Sequence, residues 1–386
     1  MQMTTTIYAD IAHATADLSA WIAVDLGAIR RNFARLHKRA GVPLIAMVKA
    51  DAYGLGLLPV ARALGATFNP EQPTAHALWA LGIATLDEAR QLRAAQCTSR
   101  IMCFVPLLPS QLAEAHALGV RPALHRTRDI HAWQTLGGGS WHLSVDTGMS
   151  RAGARWDELI AMDRPFAQML AAHPPESIFT HFHSADVATE AFHDQEERFL
   201  AVCNALAPLL PTTLRLHTDN SAALARHNGS PGDLARPGLA LYGAGAVADL
   251  ALDNVVQMRA RIVDVRTVRV GESVSYGATW TARSARRIAT VPVGYGDGYR
   301  VALSNRGEVL VAGRRCPVVG RVTMDMTMID VTDAPCQIGD VVTLVGEDAP
   351  DHVSLDEIAM RSGLLSYELL VGLKLRLPRL YFGEGG

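Results

Sequence analysis

Residues 43–56 read PLIAMVKADAYGLG, and the fold follows from how this stretch is read. Its apolar start is the signature of a strand buried on both faces, ending in a lysine, Lys49. The Leu- and Ala-rich segment after Gly56 predicts a helix. Upstream, residues 22–24 open the ordered chain. A helix follows with Leu26, Ile29, Phe33 and Leu36 on one face. Downstream the same alternation repeats. HALWALGIA (76–84) predicts a strand, and Thr85 with Glu88 forms a capping box for the next helix. RIMCFV (100–105), RPALH (121–125), WHLSVD (141–146), SIFTHF (177–182), TLRLH (213–217) and DLARPGLALYG (233–243) continue the series. Counted from Pro43 this makes about eight βα units, the α/β pattern of a closed (β/α)₈ TIM barrel.

From residue 255 the rhythm changes to short, Val-rich, partly alternating strands. They are VQMRARIVDVRTV (256–268), RRIATVPV (286–293), EVLVAG (308–313), CPVVG (316–320), MTMIDV (326–331) and DVVTLVG (340–346). Helix is expected to return only at 354–362, capped by Ser354 and Glu357. The expected organisation is a barrel domain over 1–254, its first 20 or so residues an extension, and a C-terminal mainly β domain over 255–386. A chain of 386 residues is long for one core, which agrees with two domains.

Charge is balanced, 36 basic against 38 acidic residues, so no nucleic-acid or membrane-surface partner is expected. No basic, apolar leader is visible and no run is long enough to span a bilayer. The five cysteines are scattered without metal spacing, as reduced thiols of a cytoplasmic protein would be.

Chemistry in a barrel sits where strands end at the carboxyl face. A lysine there loses hydration, its pKa falls, and the neutral amine can form a Schiff base. Locally, Lys49 also reads as a solvated strand cap. HTDNSAAL (217–224) puts Asn220 and Ser221 at a strand end opening a short helix, a phosphate-binding arrangement. In LARPGLALYG (234–243), Arg236 stands beside Gly238, whose missing side chain lets backbone N–H groups approach an oxyanion. Lysine, phosphate cradle and arginine together suit a phosphorylated aldehyde. His181 and His183 share a strand face, as in metal-dependent barrel hydrolases, but no further ligand set assembles around them and no metal is expected.

Longer stretches carry a resemblance. AMVKADAYGLG, VDTGMSRAG, THFHSAD, DNSAAL, RPGLALYG, GESVSYGATW, VPVGYGDGY and GRVTMDMTMID occur in the order found in alanine racemases. The chain resembles that fold-type III, pyridoxal 5'-phosphate (PLP)-dependent family along almost its whole length. The resemblance implies racemisation of alanine, supplying D-alanine for peptidoglycan, in a homodimer with shared active sites. Lys49 would hold PLP and act as one base. Tyr276, from the other subunit, would be the second base, helped by His181 and Arg236. Arg236 would also face the pyridine nitrogen. Tyr53, Asn220, Ser221, Gly238, Leu239 and Tyr367 would hold the cofactor. Arg151 and the backbone of a partner's Met324 would bind the substrate carboxylate. Asp186, Asp325 and Tyr299 would line the approach to the cavity.

Two positions depart from the family pattern. Ser144 stands where a carbamylated lysine is common, so a small anion such as chloride is expected beside Arg151, with bridging waters or an Asp or Glu from another strand as the alternatives. Val301 and Ala302 replace a usual charge after GYGDGY, with Arg300 out of register. This opens a wider substrate range, serine or basic amino acids included. Two other readings compete: a fold-type III amino-acid decarboxylase, which presents an acid where this chain has Arg236, and a non-catalytic PLP carrier, which is a bare barrel.

Overall fold

The computed structural model describes residues 14–68, 77–187, 189–227, 229–245 and 250–383. Most of the expected N-terminal extension, and the first residue of the strand expected at 76–84, lie outside them.

Strand β1 (Ala20–Asp25) is followed by helix α1 (Leu26–Ala40), which buries Leu26, Ile29, Phe33 and Leu36 as their spacing requires. Asp25 caps its first turn, accepting from Ala28 N, and Gly41 at φ +70° closes it. The barrel strands follow: β2 (Leu44–Met47), β3 (Leu78–Ile83), β4 (Ile101–Cys103), β5 (Val120–Leu124), β6 (His142–Asp146), β7 (Ser177–Phe179) and β8 (Arg215–His217). They pair in parallel in that order.

The eighth staves segment, 233–237, is too short to form a regular strand, yet it closes the ring. Leu234 bridges His217 and Ala235 bridges Leu44, both in parallel. Ile45 N and Met47 N donate to Ala235 O and Pro237 O, at 2.8 and 3.1 Å. The expected extension of this strand to residue 243 is corrected. Pro237 has no N–H to continue the ladder, and Leu239–Tyr242 winds into a 3₁₀ turn.

β1 is not a barrel element. It pairs antiparallel with β9 (Val256–Arg261) and parallel with β10 (Arg379–Phe382), inside a sheet of the second domain. The Val-rich segments at 286–293, 308–313, 326–331 and 340–346 each contain a strand, whereas the one expected at 316–320 shifts upstream to Arg314–Pro317. Helix α2 (Leu355–Ser362) begins at Ser354, whose hydroxyl accepts from Glu357 N. A further helix, α3 (Ser366–Val371), was not anticipated. It restarts only after Gly363 turns the chain at φ +68°, and it carries Tyr367. No described helix is long and apolar enough to cross a membrane.

Candidate active site

A cavity of about 500 Å³ opens at the carboxyl ends of the barrel strands. Lys49, two residues past β2, projects into it. The backbone after it is unusual: Ala50, Asp51, Ala52 and Tyr53 all have φ between +51° and +58°. Four left-handed non-glycine residues in a row are strained and persist only where their surroundings dictate them. Glu88 does so here. Its carboxylate caps the following helix through Thr85 N and also accepts from Ala84 N and, at 2.5 Å, from Ala50 N. Asp51 Oδ1 closes the far side, accepting from Leu57 N. The turn swings Tyr53 under the cavity, its ring 4.6 Å from that of Tyr242 and 6.1 Å from that of Tyr367.

Burial lowers the Lys49 pKa and nearby Arg151 lowers it further, against an opposing pull from Glu88. His181 is pushed down to about 3, first by burial and then by the charges of Arg236, Arg151 and Lys49. It is therefore a neutral imidazole among cations. Arg151 has no hydrogen-bond or ion-pair partner among the described residues, and Ser144 lies buried in the wall of the same cavity.

Arg236 forms the cavity floor. It donates to the carbonyls of His217, Thr180 and Thr218 and to His217 Nδ1. None of these partners is His181, which it influences through charge alone. Its Nε makes no hydrogen bond within the described chain. Burial lowers its pKa to about 10, so it stays charged near neutrality.

Asn220 caps the short helix Ser221–Arg226. Ser221 Oγ accepts from Gly238 N at 2.9 Å and Ala240 N at 3.3 Å, which leaves its own O–H to donate. A Cβ on Gly238 would fall 2.4 Å from Tyr53 Oη, so only glycine fits. Leu239 is buried just beyond. An amine, hydroxyls beside backbone N–H groups, and a fixed guanidinium are the donors a phosphorylated pyridine aldehyde needs, so the residues present suit PLP.

Other expected site residues lie elsewhere. Tyr276 and Met324 are 69% and 52% exposed on the second domain and do not line the cavity. Asp325 is exposed and pairs with Arg376 at 2.7 Å. Asp186 is exposed, close enough to Tyr367 to raise its pKa beyond what burial alone does. Tyr299 is a correction. It is only 2% exposed and packs in the hydrophobic core, so it cannot meet a ligand arriving from solvent. Tyr295, in the same GYGDGY motif, is 42% exposed. Reasoning from sequence also missed His217, Glu88 and Tyr242. His217 carried a signal at the end of TLRLH and Glu88 as the acid of a capping box, whereas Tyr242 carried none.

Two family descriptions match the chain: the alanine racemase N-terminal domain over residues 24–246 and the C-terminal domain over 255–381. The alanine racemase of Halothermothrix orenii is 35% identical over 379 residues, covering 95% of this chain and 97% of that protein. That of Symbiobacterium thermophilum is 36% identical over 376 residues, covering 94% and 97%. Among solved structures, the Streptomyces coelicolor A3(2) enzyme aligns with TM-score 0.85 at 30% identity, over 96% of this chain and 100% of that one. The Bartonella henselae enzyme, with covalently bound pyridoxal phosphate, aligns with TM-score 0.82 at 28% identity, over 94% and 99%. The barrel, the lysine-bearing cavity, the second β domain and these likenesses lead to one assignment: this chain belongs to the alanine racemase family, isomerases whose cofactor is pyridoxal phosphate.

Proposed function

We propose that this protein interconverts L- and D-alanine with two bases on opposite faces of the substrate, Lys49 of one chain and Tyr276 of a second chain in a homodimer. One observation carries the reading. Lys49, Arg151, His181 and Arg236 converge on one cavity, whereas Tyr276 and Met324 stand exposed outside it. A second copy is the simplest way to bring both sets together.

When bound, pyridoxal phosphate withdraws the electron pair left at the substrate α-carbon. Lys49 would hold its aldehyde carbon through Nζ, and the free amine would serve as a base. Tyr53, Tyr367, Ser221 and the backbone at Gly238 and Leu239 would hold the phosphate, with Asn220 fixing the helix start. Arg151 pairs with the substrate carboxylate, and Met324 N–H of the second chain meets it from above. In one direction Lys49 Nζ would take the α-proton while Tyr276 Oη gives a proton to the opposite face. In the other direction the roles exchange. A lowered lysine pKa keeps more of the amine in its basic form near neutrality. Neutral His181 is able to accept from Tyr276, and the permanent charge of Arg236 keeps the facing ring nitrogen unprotonated.

Family membership and Arg236 weigh against the decarboxylase reading, and the second domain against a bare carrier. The five cysteines are all free, which supports a reducing compartment such as the cytoplasm. Val301 is exposed where the family commonly carries charge, which supports a range beyond alanine.

The test is incubation with L-alanine in deuterated water, repeated with serine, lysine and arginine. Deuterium at the α-carbon of both enantiomers is the expected result with alanine. Release of CO₂, or no exchange by the PLP-loaded protein, would overturn the reading. Beside Arg151 we place a small anion such as chloride in the space a carbamylated lysine would fill, with Ser144 as its neighbour. Activity should rise with chloride at constant ionic strength and lose that dependence in Ser144→Lys supplied with bicarbonate. Indifference of the wild type to chloride would rule the anion out.

A further inference from the structure

Beneath the cavity a line of buried polar groups runs down the barrel core, and the proposed reaction leaves its lower half unused. Barrel interiors are usually layers of branched apolar side chains. A polar group there costs free energy unless each donor and acceptor is met. Arg236 Nη1 donates to His217 Nδ1 at 2.8 Å. His217 Nε2 lies 2.9 Å from Ser177 Oγ and 3.0 Å from His142 Nδ1. Ser177 Oγ is itself hydrogen-bonded to His142 Nδ1. His142 Nε2 faces Glu176 Oε2 at 3.6 Å, just beyond hydrogen-bond distance and with no other partner among the described residues, and Arg121 Nε donates to that carboxylate oxygen at 2.7 Å. His142, Ser177 and His217 are wholly buried. Glu176 and Arg121 sit at the amino ends of β7 and β5, the mouth opposite the cavity, about a fifth exposed.

The donors and acceptors admit one order of protons. A guanidinium has no lone pair to offer, so His217 Nδ1 must accept and the His217 proton sits on Nε2. That proton points at Ser177 Oγ and His142 Nδ1. His142 Nδ1 accepts from the Ser177 hydroxyl, so the His142 proton also sits on Nε2 and points at Glu176. Each N–H and O–H in the line therefore points away from the cavity, toward a carboxylate on the far side. Burial and the Arg236 charge both oppose a second proton on His217. Against the effect of burial, His142 and Arg121 hold Glu176 down to about 2, so it is an anion at any working pH. The other charges near this end are Arg100 and Arg215, which with Arg121 lie over the Trp79 ring.

We infer that Glu176 is a positioning residue for Arg236. Its carboxylate faces the last N–H of the order that Arg236 imposes, so the line keeps that order and His217 stays clamped on the guanidinium beneath the cavity. The value of this to the reaction rests on the reading of Arg236 as the group facing the cofactor ring. The proton order itself stands whatever the cavity binds.

Long-range ¹H–¹⁵N NMR on the full chain loaded with pyridoxal phosphate, carrying ¹⁵N-histidine, tests it directly. His142 and His217 should each show a proton on Nε2 and a bare Nδ1 from pH 6 to 8. Glu176→Gln keeps an acceptor and should leave this pattern in place. Glu176→Leu removes the acceptor, so both histidine signals should shift. Its affinity for pyridoxal phosphate should also weaken, on the order of tenfold, as when an outer-shell partner is lost. A wild-type His217 protonated on Nδ1 would overturn the inference. So would a folded Glu176→Leu protein with both histidines unchanged. If Glu176→Leu does not fold, Glu176→Ala takes its place, with the same two outcomes. Failure of the racemase reading would leave that pattern untouched, so the two can be told apart.

Discussion

Gly238 and Tyr53 compete for one space, at the end of the cavity proposed to hold the phosphate. Gly238 has a negative φ, −122°, so no left-handed turn calls for glycine here, and the conflict on the page is one of room. Gly238→Ala should push Tyr53 aside and cost about 1–3 kcal/mol in urea denaturation, the usual range for overpacking. Adding Tyr53→Phe removes the hydroxyl in conflict and should recover part of the loss. A double variant no more stable than Gly238→Ala would show that the clash lies elsewhere. Several of these residues could be read in advance and others could not. Lys49 was legible because a charge ending a short apolar run marks a strand end. Tyr295 and Tyr299 were not separable, since they sit four apart in one motif and only tertiary packing decides which is buried.

Among the elements, the turn from Ala50 to Tyr53 is held from outside. Its sequence, ADAY, contains no glycine, so nothing local announces a left-handed run. Glu88 supplies the constraint from the next βα unit by accepting from three backbone donors. Glu88→Ala should therefore destabilise the protein by about 3 kcal/mol or more, since each buried donor left unmet costs about 1–3 kcal/mol. It should also lower the pKa of Lys49 further, because the one carboxylate opposing that shift is gone. Unchanged stability would mean that the turn holds itself. The buried histidines of β6 and β8 make a second prediction. His142 and His217 have pKa values depressed by burial. Unfolded histidine titrates near 6.5, so below that pH the unfolded chain takes up protons that the folded chain refuses. Stability should be complete above pH 6.5 and fall as the pH drops. Each group contributes a slope of up to about 1.4 kcal/mol per pH unit. A thermal midpoint flat from pH 7.5 to 5 would contradict it. The strands bearing these histidines were legible from their apolar runs. The 3₁₀ turn at Leu239–Tyr242 was not, because LALY reads as strand until Pro237 is seen to end the ladder.

For the whole molecule, the proposed division of bases between two chains has a numerical consequence. Lys49→Ala and Tyr276→Phe should each be inactive alone. After subunit exchange, mixing them should restore about a quarter of the wild-type sites, since each site draws Lys49 from one chain and Tyr276 from the other. No recovery despite proven exchange would place both bases in one chain. At this scale the barrel and the second β domain were legible from periodicity. The allegiance of β1 was not, because its alternation of side chains says nothing about which distant strands it joins. That allegiance governs how the chain comes into being. Synthesis delivers β1 first, but β9 arrives only after the entire barrel has been made, and β10 only at the far end of the polypeptide. Until then a buried-type strand, AWIAVD, must wait unpaired beside a nascent barrel. It is an open edge of the kind that recruits other chains. Premature termination anywhere before residue 379 would leave β1 without at least one neighbour. Completion of the final strand is thus the molecular event that seals the two domains together, and a fragment carrying the barrel alone would be born with an adhesive flank.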